Sequence, residues 1–259
     1  MSVSNEWVRW ERQRDGSAYW ITRPIQSISE LQMLVSIIDK YMAVSKTDLY
    51  MNLFFRGQAT NSALIPKFFD GKIDLEKLRT ALQEMLEICK DEIGDSRTDK
   101  EVYFMMRHAG LPSHLVDWSC NWRVALWFAL HDNDGSLTVR PSSLWVIRHH
   151  KSDLLHSFFP ADQHACERSE KQEGWAYVIR FEECADGIHA LPMERDLRYE
   201  GRLLRMPIDT TAHERMMYEL LRSDRWIVDI MNTPSPLSKA VVKKCYDIFQ
   251  KKSGLGTTF

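Results

Sequence analysis

The chain has 259 residues, 44% hydrophobic and 27% charged, enough to bury a core in one large domain or two small ones. With 34 basic and 36 acidic residues the net charge is -2, which excludes a global attraction to nucleic acid or anionic membranes and argues against disorder. Only 9 Pro and 11 Gly exclude collagen-like and low-complexity chains, while 9 Trp and 11 Phe suit a large core or a stacking pocket.

Five cysteines (Cys89, Cys120, Cys166, Cys184, Cys245) are odd in number, scattered, and form no CxxC pair. Free thiols in a reducing, cytoplasmic setting are therefore expected, with neither a disulfide framework nor a zinc ribbon. The N-terminus, MSVSNEWVRWERQRDG, lacks the apolar stretch of a signal peptide, and no run approaches 18 apolar residues.

Residues 1–22 mix charge with Trp7, Trp10, Tyr19 and Trp20 and read as a strand pair or an arm. Ser27 and Glu30 form a capping-box pattern that opens a helix with Leu31, Leu34, Val35 and Ile38 on one face. The segment 49–55 is aliphatic and aromatic, a buried strand expected to end in a turn at Arg56 and Gly57. Leu75, Leu78, Leu82, Met85, Leu86, Cys89 and Ile93 then repeat at helical spacing, predicting a long amphipathic helix over 74–92.

A third helix is expected to start at the Thr98/Glu101 cap and to stop at Gly110, before Pro112. The fourth, over 122–131, is apolar on all sides, which predicts burial all round. Strands are expected at 143–147, 175–181 and 225–230, with helices near 211–222 and 236–251. The polar, His-rich stretch 149–173 reads as a long loop. The expected class is α+β in a single domain, with a helix-rich first half and a mixed or antiparallel sheet mostly from the second half. Its core spans 25–252, preceded by an arm (1–24) and followed by a frayed tail (253–259).

Two segments concentrate chemistry. In Phe54, Phe55, Arg56, Gly57 and Gln58, an arginine follows buried aromatics, so its planar fork of donors suits phosphate or carboxylate recognition. Gly57 would permit a sharp turn or close ligand approach; the plainer reading pairs Arg56 with a core carboxylate. The second segment crowds His108, Ser113, His114, Asp117, Trp118, Ser119 and Asn121 into a turn before the apolar helix. A pocket is expected there. The plainer reading has Asp117 and Asn121 bracing the loop and capping the helix, with Trp118 in the core.

FFRGQ followed by HAGLPSHLVDWSCN and VALWFAL resembles the FRG domain family, named for its Phe-Arg-Gly motif. Its second block is matched at His108, Gly110, Leu111, Pro112, Leu115, Asp117, Trp118 and Asn121. The likeness departs at Arg107, His114 and Trp122, where the family usually has Gln, Arg and Pro; Ser113 and Ser119 stand for Thr. The late Arg215 to Glu219 stretch matches the last block incompletely.

This resemblance implies a component of a bacterial toxin or anti-phage defence system. A further similarity to ADP-ribosyltransferases sets Arg56 and Gly57 against NAD, with Glu219 (or Glu214) as the carboxylate facing the reacting ribose. On that reading the chain is a nucleotide- or NAD-directed effector, an ADP-ribosyltransferase or an NAD glycohydrolase. Arg56, His108, Asp117 and Glu219 would be catalytic, and Gln58, His114, Trp118, Ser119 and Asn121 would bind ligand. The alternative is a non-enzymatic ligand- or protein-binding module in which Arg56, His108 and Asp117 form a structural network.

His149, His150, His156, His164 and Cys166 do not match metal-ligand spacings, so no metal is expected. No Rossmann, P-loop or GxSxG pattern occurs. The arginines from Arg195 to Arg225 suit a phosphate-bearing ligand, or else pair with Glu194, Glu200, Glu214 and Glu219 on exposed helix faces. The expected partners are a nucleotide or NAD-like small molecule and a protein target or cognate inhibitor. No membrane is expected, and nucleic acid stays open.

Overall fold

The computed structural model describes residues 10–12, 19–42, 51–94, 96–132, 135–150, 158–160, 173–199, 202–231, 233–235, 237–253 and 255. His156, His164 and Cys166, and most of the expected 149–173 loop, lie outside them. The contacts divide the chain into two compact units. One comprises Met1–Ala63, Trp118–His156 and Glu194–Met231; the other comprises Leu64–Asp117, Ser157–Met193 and Asn232–Phe259.

The first unit holds β1 (Trp10–Arg12), β2 (Tyr19–Ile21), α1 (Ile28–Met42) and β3 (Met51–Gln58). It continues with α4 (Trp122–Leu130), β6 (Ser142–His150), β11 (Leu203–Ile208), α5 (His213–Ser223) and α6 (Trp226–Met231). The strand order is β1-β2-β11-β6-β3; β11 runs antiparallel to β6 and parallel to β2. β5 (Leu115–Ser119) places Ser119 opposite Phe55 of β3.

One face of this sheet carries Phe55, Leu144, Val146, Leu204 and Met206 and is covered by α1, α4 and α5, which contribute Leu31, Ala125, Ala129, Met216 and Leu220. The α1 entry is set as expected: the Ser27 hydroxyl accepts the Glu30 N–H at 3.1 Å. The returning Glu30 carboxylate takes the N–H of Gln26 at 2.8 Å, one residue before the cap.

The second unit holds β4 (Lys72–Ile73), α2 (Leu75–Ile93), α3 (Asp99–His108), β8 (Gly174–Val178), β9 (Arg180–Cys184), β10 (Gly187–Leu191) and α7 (Lys239–Lys252). β4, β10 and β9 form an antiparallel sheet, and β7 (Phe158–Pro160) pairs with β8. α2 buries the predicted stripe from Leu78 to Cys89, but not its ends Leu75 and Ile93, and packs on α7, where the Cys89 and Cys245 thiols lie 3.8 Å apart. Thr98 and Glu101 form the full capping box of α3, and Gly110 takes the left-handed conformation (φ 80°) that ends it.

The class is α+β, as expected. Several local expectations change. Residues 225–230 are not a strand: 226–231 form the short helix α6, because Ile227 and Val228 close helical turns onto the Asp224 and Arg225 carbonyls. Ile227 is fully buried there, while Trp226 is 38% exposed. Residues 203–208, where no element is expected, form the strand β11. The 107–121 segment is more than a turn, since 115–119 is strand. α4 is not buried all round, because Phe128 is 38% exposed. β1 and β2 form the expected strand pair, Tyr19 and Trp20 also pair with β11, and Leu255 is buried in the expected tail. Among the described residues no helix is long and apolar enough to cross a membrane.

Candidate functional site

β3 alternates strictly. Phe55 and Gly57 point to the helix-covered face, while Phe54, Arg56 and Gln58 point to the other. Gly57 is therefore not a turn residue, and the strand runs on through Gln58. A methyl group on Gly57 would collide with the backbone of α4, at the Ala125 carbonyl and the Ala129 amide. The glycine and the alanine-rich helix are thus one packing unit, in which each lacks the side chain that would hold the other away.

Residues 51–136 match the family model of the FRG domain. No curated protein and no solved structure matches the chain. The FRG match runs from β3 past α4, so it contains both halves of this strand–helix contact.

On the opposite face, the register sets Arg56 against Trp145 and Trp145 against Arg205. Directly paired residues share a face, so two guanidinium groups flank one indole, with their Cα atoms about 10 Å apart across two strand spacings. Trp145 is fixed: its indole N–H donates to Gln58 Oε1 at 2.6 Å. The Gln58 amide in turn donates to the Ala63 carbonyl at 3.3 Å and Ser62 Oγ at 3.4 Å.

Arg205 sits 5.6 Å from the Trp145 ring centroid; its Nε donates to Ser143 Oγ at 2.9 Å and its Nη2 to Asn61 Oδ1. Burial pulls this guanidinium below the ordinary arginine range, and the charge of Glu194 opposes that shift. Trp145 and Asn61 were absent from the expected site, and Arg205 was expected only as one of the arginines from Arg195 to Arg225 that suit a phosphate-bearing ligand. Their signal, the shared register of three strands, exists only once β11 is recognised as a strand.

The remaining expected residues divide. In the first unit, Trp118 is buried on β5, Ser119 Oγ accepts the Asn121 N–H at 2.9 Å, and Asn121 Oδ1 caps α4 by accepting the Arg123 N–H at 3.0 Å. Glu219 lies on α5, which packs through Met216, Met217 and Leu220 against the helix-covered face. Glu219 and Arg56 are thus on opposite sides of the sheet, and the acidic residue acting on the arginine face is Glu194.

In the second unit, Asp117 forms an ion pair with Arg107, Nε to Oδ2 at 2.9 Å. His108, at the end of α3, makes no hydrogen bond to Asp117; Arg107 occupies that carboxylate. His114 packs edge-on against Tyr103, ring centroids 4.9 Å apart, and burial lowers its pKa. Among the described residues no group of His, Cys, Asp and Glu could hold a metal ion.

The His114 shift has a measurable sign. In the unfolded chain its ordinary value is 6.5, and the folded value is lower. As pH falls below 6.5 the unfolded chain takes up the proton first, so stability present above 6.5 is lost as pH passes down through the folded value. His114→Phe keeps the ring contact and should flatten the fall in unfolding free energy below pH 6.5, measured by urea titration. An unchanged slope would contradict it. His131, stacked on Trp127 at 3.6 Å, shifts in the same direction, so part of the slope persists.

Proposed function

We propose that the chain is a nucleotide- or NAD-directed effector, of the toxin or anti-phage defence kind that the FRG resemblance suggests. The observation that carries this reading is Arg56, held half-buried beside Trp145 on the face of the sheet away from the helices. A guanidinium fork beside a fixed indole suits a ligand that joins phosphates to a flat ring. ADP-ribosyl transfer also needs a carboxylate facing the cationic ribose centre formed as nicotinamide leaves. On the Arg56 face Glu194 fits that requirement better than Glu219.

A second reading, a binding module without chemistry, draws support from internal bonding of the expected residues. Asp117 is engaged by Arg107, Asn121 caps α4, and Gln58 clamps Trp145. Incubating the purified protein with NAD, followed by mass spectrometry of NAD, protein and nucleic acid, separates the two. NAD loss or an ADP-ribose adduct that disappears in a folded Arg56→Ala variant is the expected result. Intact NAD and no adduct would remove the enzymatic reading and leave the binding module.

A further inference from the structure

Arg205 is a half-buried arginine whose hydrogen-bond partners are both neutral. Among the described residues it forms no ion pair: its bonded partners are a serine hydroxyl and an asparagine oxygen, both neutral, and the indole face of Trp145. By contrast Arg107, Arg123, Arg140 and Arg198 each meet a carboxylate within 3 Å. A guanidinium has five N–H donors, and two are used here, which leaves three.

The bond from Nη2 leads to Asn61, which is exposed, so this end of the group opens to solvent. Asn61 spends its oxygen on Arg205, leaving its amide N–H groups unengaged among the described residues. Thr60 and Ser62, whose hydroxyls are 3.0 Å apart, flank it in the same loop. The cluster is rich in donors and is held by the clamped Trp145; the Glu194 charge acts on Arg205 without forming an ion pair with it.

We propose that Arg205 and the Asn61 loop bind a phosphate group of a nucleotide ligand, Arg205 as the anchoring cation and Asn61 as a second donor. The inference rests on the nucleotide reading above and names where a phosphate is held. A guanidinium held by neutral partners gains most from an anion that brings several oxygens, and a phosphate accepts from both the fork and the amide at once.

Calorimetric titration of the full chain with ADP, pyrophosphate and adenosine tests it. ADP and pyrophosphate should bind and adenosine should not. Arg205→Ala should weaken ADP by about 10- to 100-fold, the loss expected for charge-assisted hydrogen bonds. Asn61→Ala, at an exposed loop position, should lose affinity in the same direction by less, and Arg140→Ala should bind as the parent does. If Arg205→Ala fails to fold, Arg205→Lys, which keeps the charge but not the fork, and Asn61→Ala decide the matter.

Parent-like ADP affinity in the folded Arg205 and Asn61 variants would overturn the site, as would the absence of ADP and pyrophosphate binding at millimolar concentration. ADP binding that needs Arg205 while NAD stays intact would uphold the site and sink the enzymatic reading. Conversely, NAD turnover unaffected by Arg205→Ala would sink the site alone.

Discussion

Replacing Gly57 by alanine should destabilise the first unit by about 3 kcal/mol or more, at the upper end of what overpacking a core costs. The added methyl meets the Ala125 carbonyl and the Ala129 amide, which are backbone atoms of α4 and cannot rotate away as a side chain could. Relief requires moving α4 off β3. That in turn opens the cluster of Phe55, Ala125, Leu126, Ala129 and Val146. Urea unfolding should show a lowered midpoint, and soluble yield should fall. A change below about 1 kcal/mol would mean that α4 is not held this tightly against the strand. The same geometry explains why a glycine and an alanine-rich helix occur together within the matched FRG segment.

His213→Ala should cost nearly as much, about 2–4 kcal/mol, for a different reason. The ring is 1% exposed at the start of α5. Its Nδ1 lies 2.8 Å from the Thr138 carbonyl, which can only accept, so Nδ1 donates; Nε2 lies 3.0 Å from Ser142 Oγ. Truncation leaves a buried carbonyl and a buried hydroxyl without that partner and opens a cavity between α5 and β6. Unfolding in urea at pH 7.5 measures the loss, and a shift under about 1 kcal/mol would show that water or repacking replaces the ring. Neither substitution touches Arg56 or Arg205. A folded remnant of either variant should therefore keep ligand affinity, which separates packing from recognition.

Local chemistry was legible where one element explains itself. The Thr98/Glu101 box, the Leu78 to Cys89 stripe of α2 and the Asn121 cap of α4 need only neighbours within four residues. The α+β class and the FRG segment were legible for the same reason, since periodicity and motif order are properties of the chain. The plainer readings of Asn121 and Trp118 were also local: one caps its helix and the other is buried in its strand.

What resisted reading was anything that depends on which strands become neighbours. β11 is short and carries Arg205 and Pro207 between Leu204, Met206 and Ile208; β6 and β2 pair with it on either side. From that pairing alone comes the row Arg56, Trp145, Arg205, whose members are separated in sequence by 89 and 60 positions. The side of the sheet on which a carboxylate lies was equally hidden. Glu219 was expected as the carboxylate facing the reacting ribose, yet α5 packs on the helix-covered face, while the Glu194 charge acts on Arg205.

By itself, then, the sequence determined the longer helices, their caps and the class, because these follow from short-range sterics and hydrogen bonding, whereas the seating of Gly57 against α4 is a tertiary contact. Only the tertiary structure decided that Arg56, Trp145 and Arg205 share one face of the sheet and that Arg205 bonds to Ser143 and Asn61. Strand register, not sequence separation, sets the distance between charges.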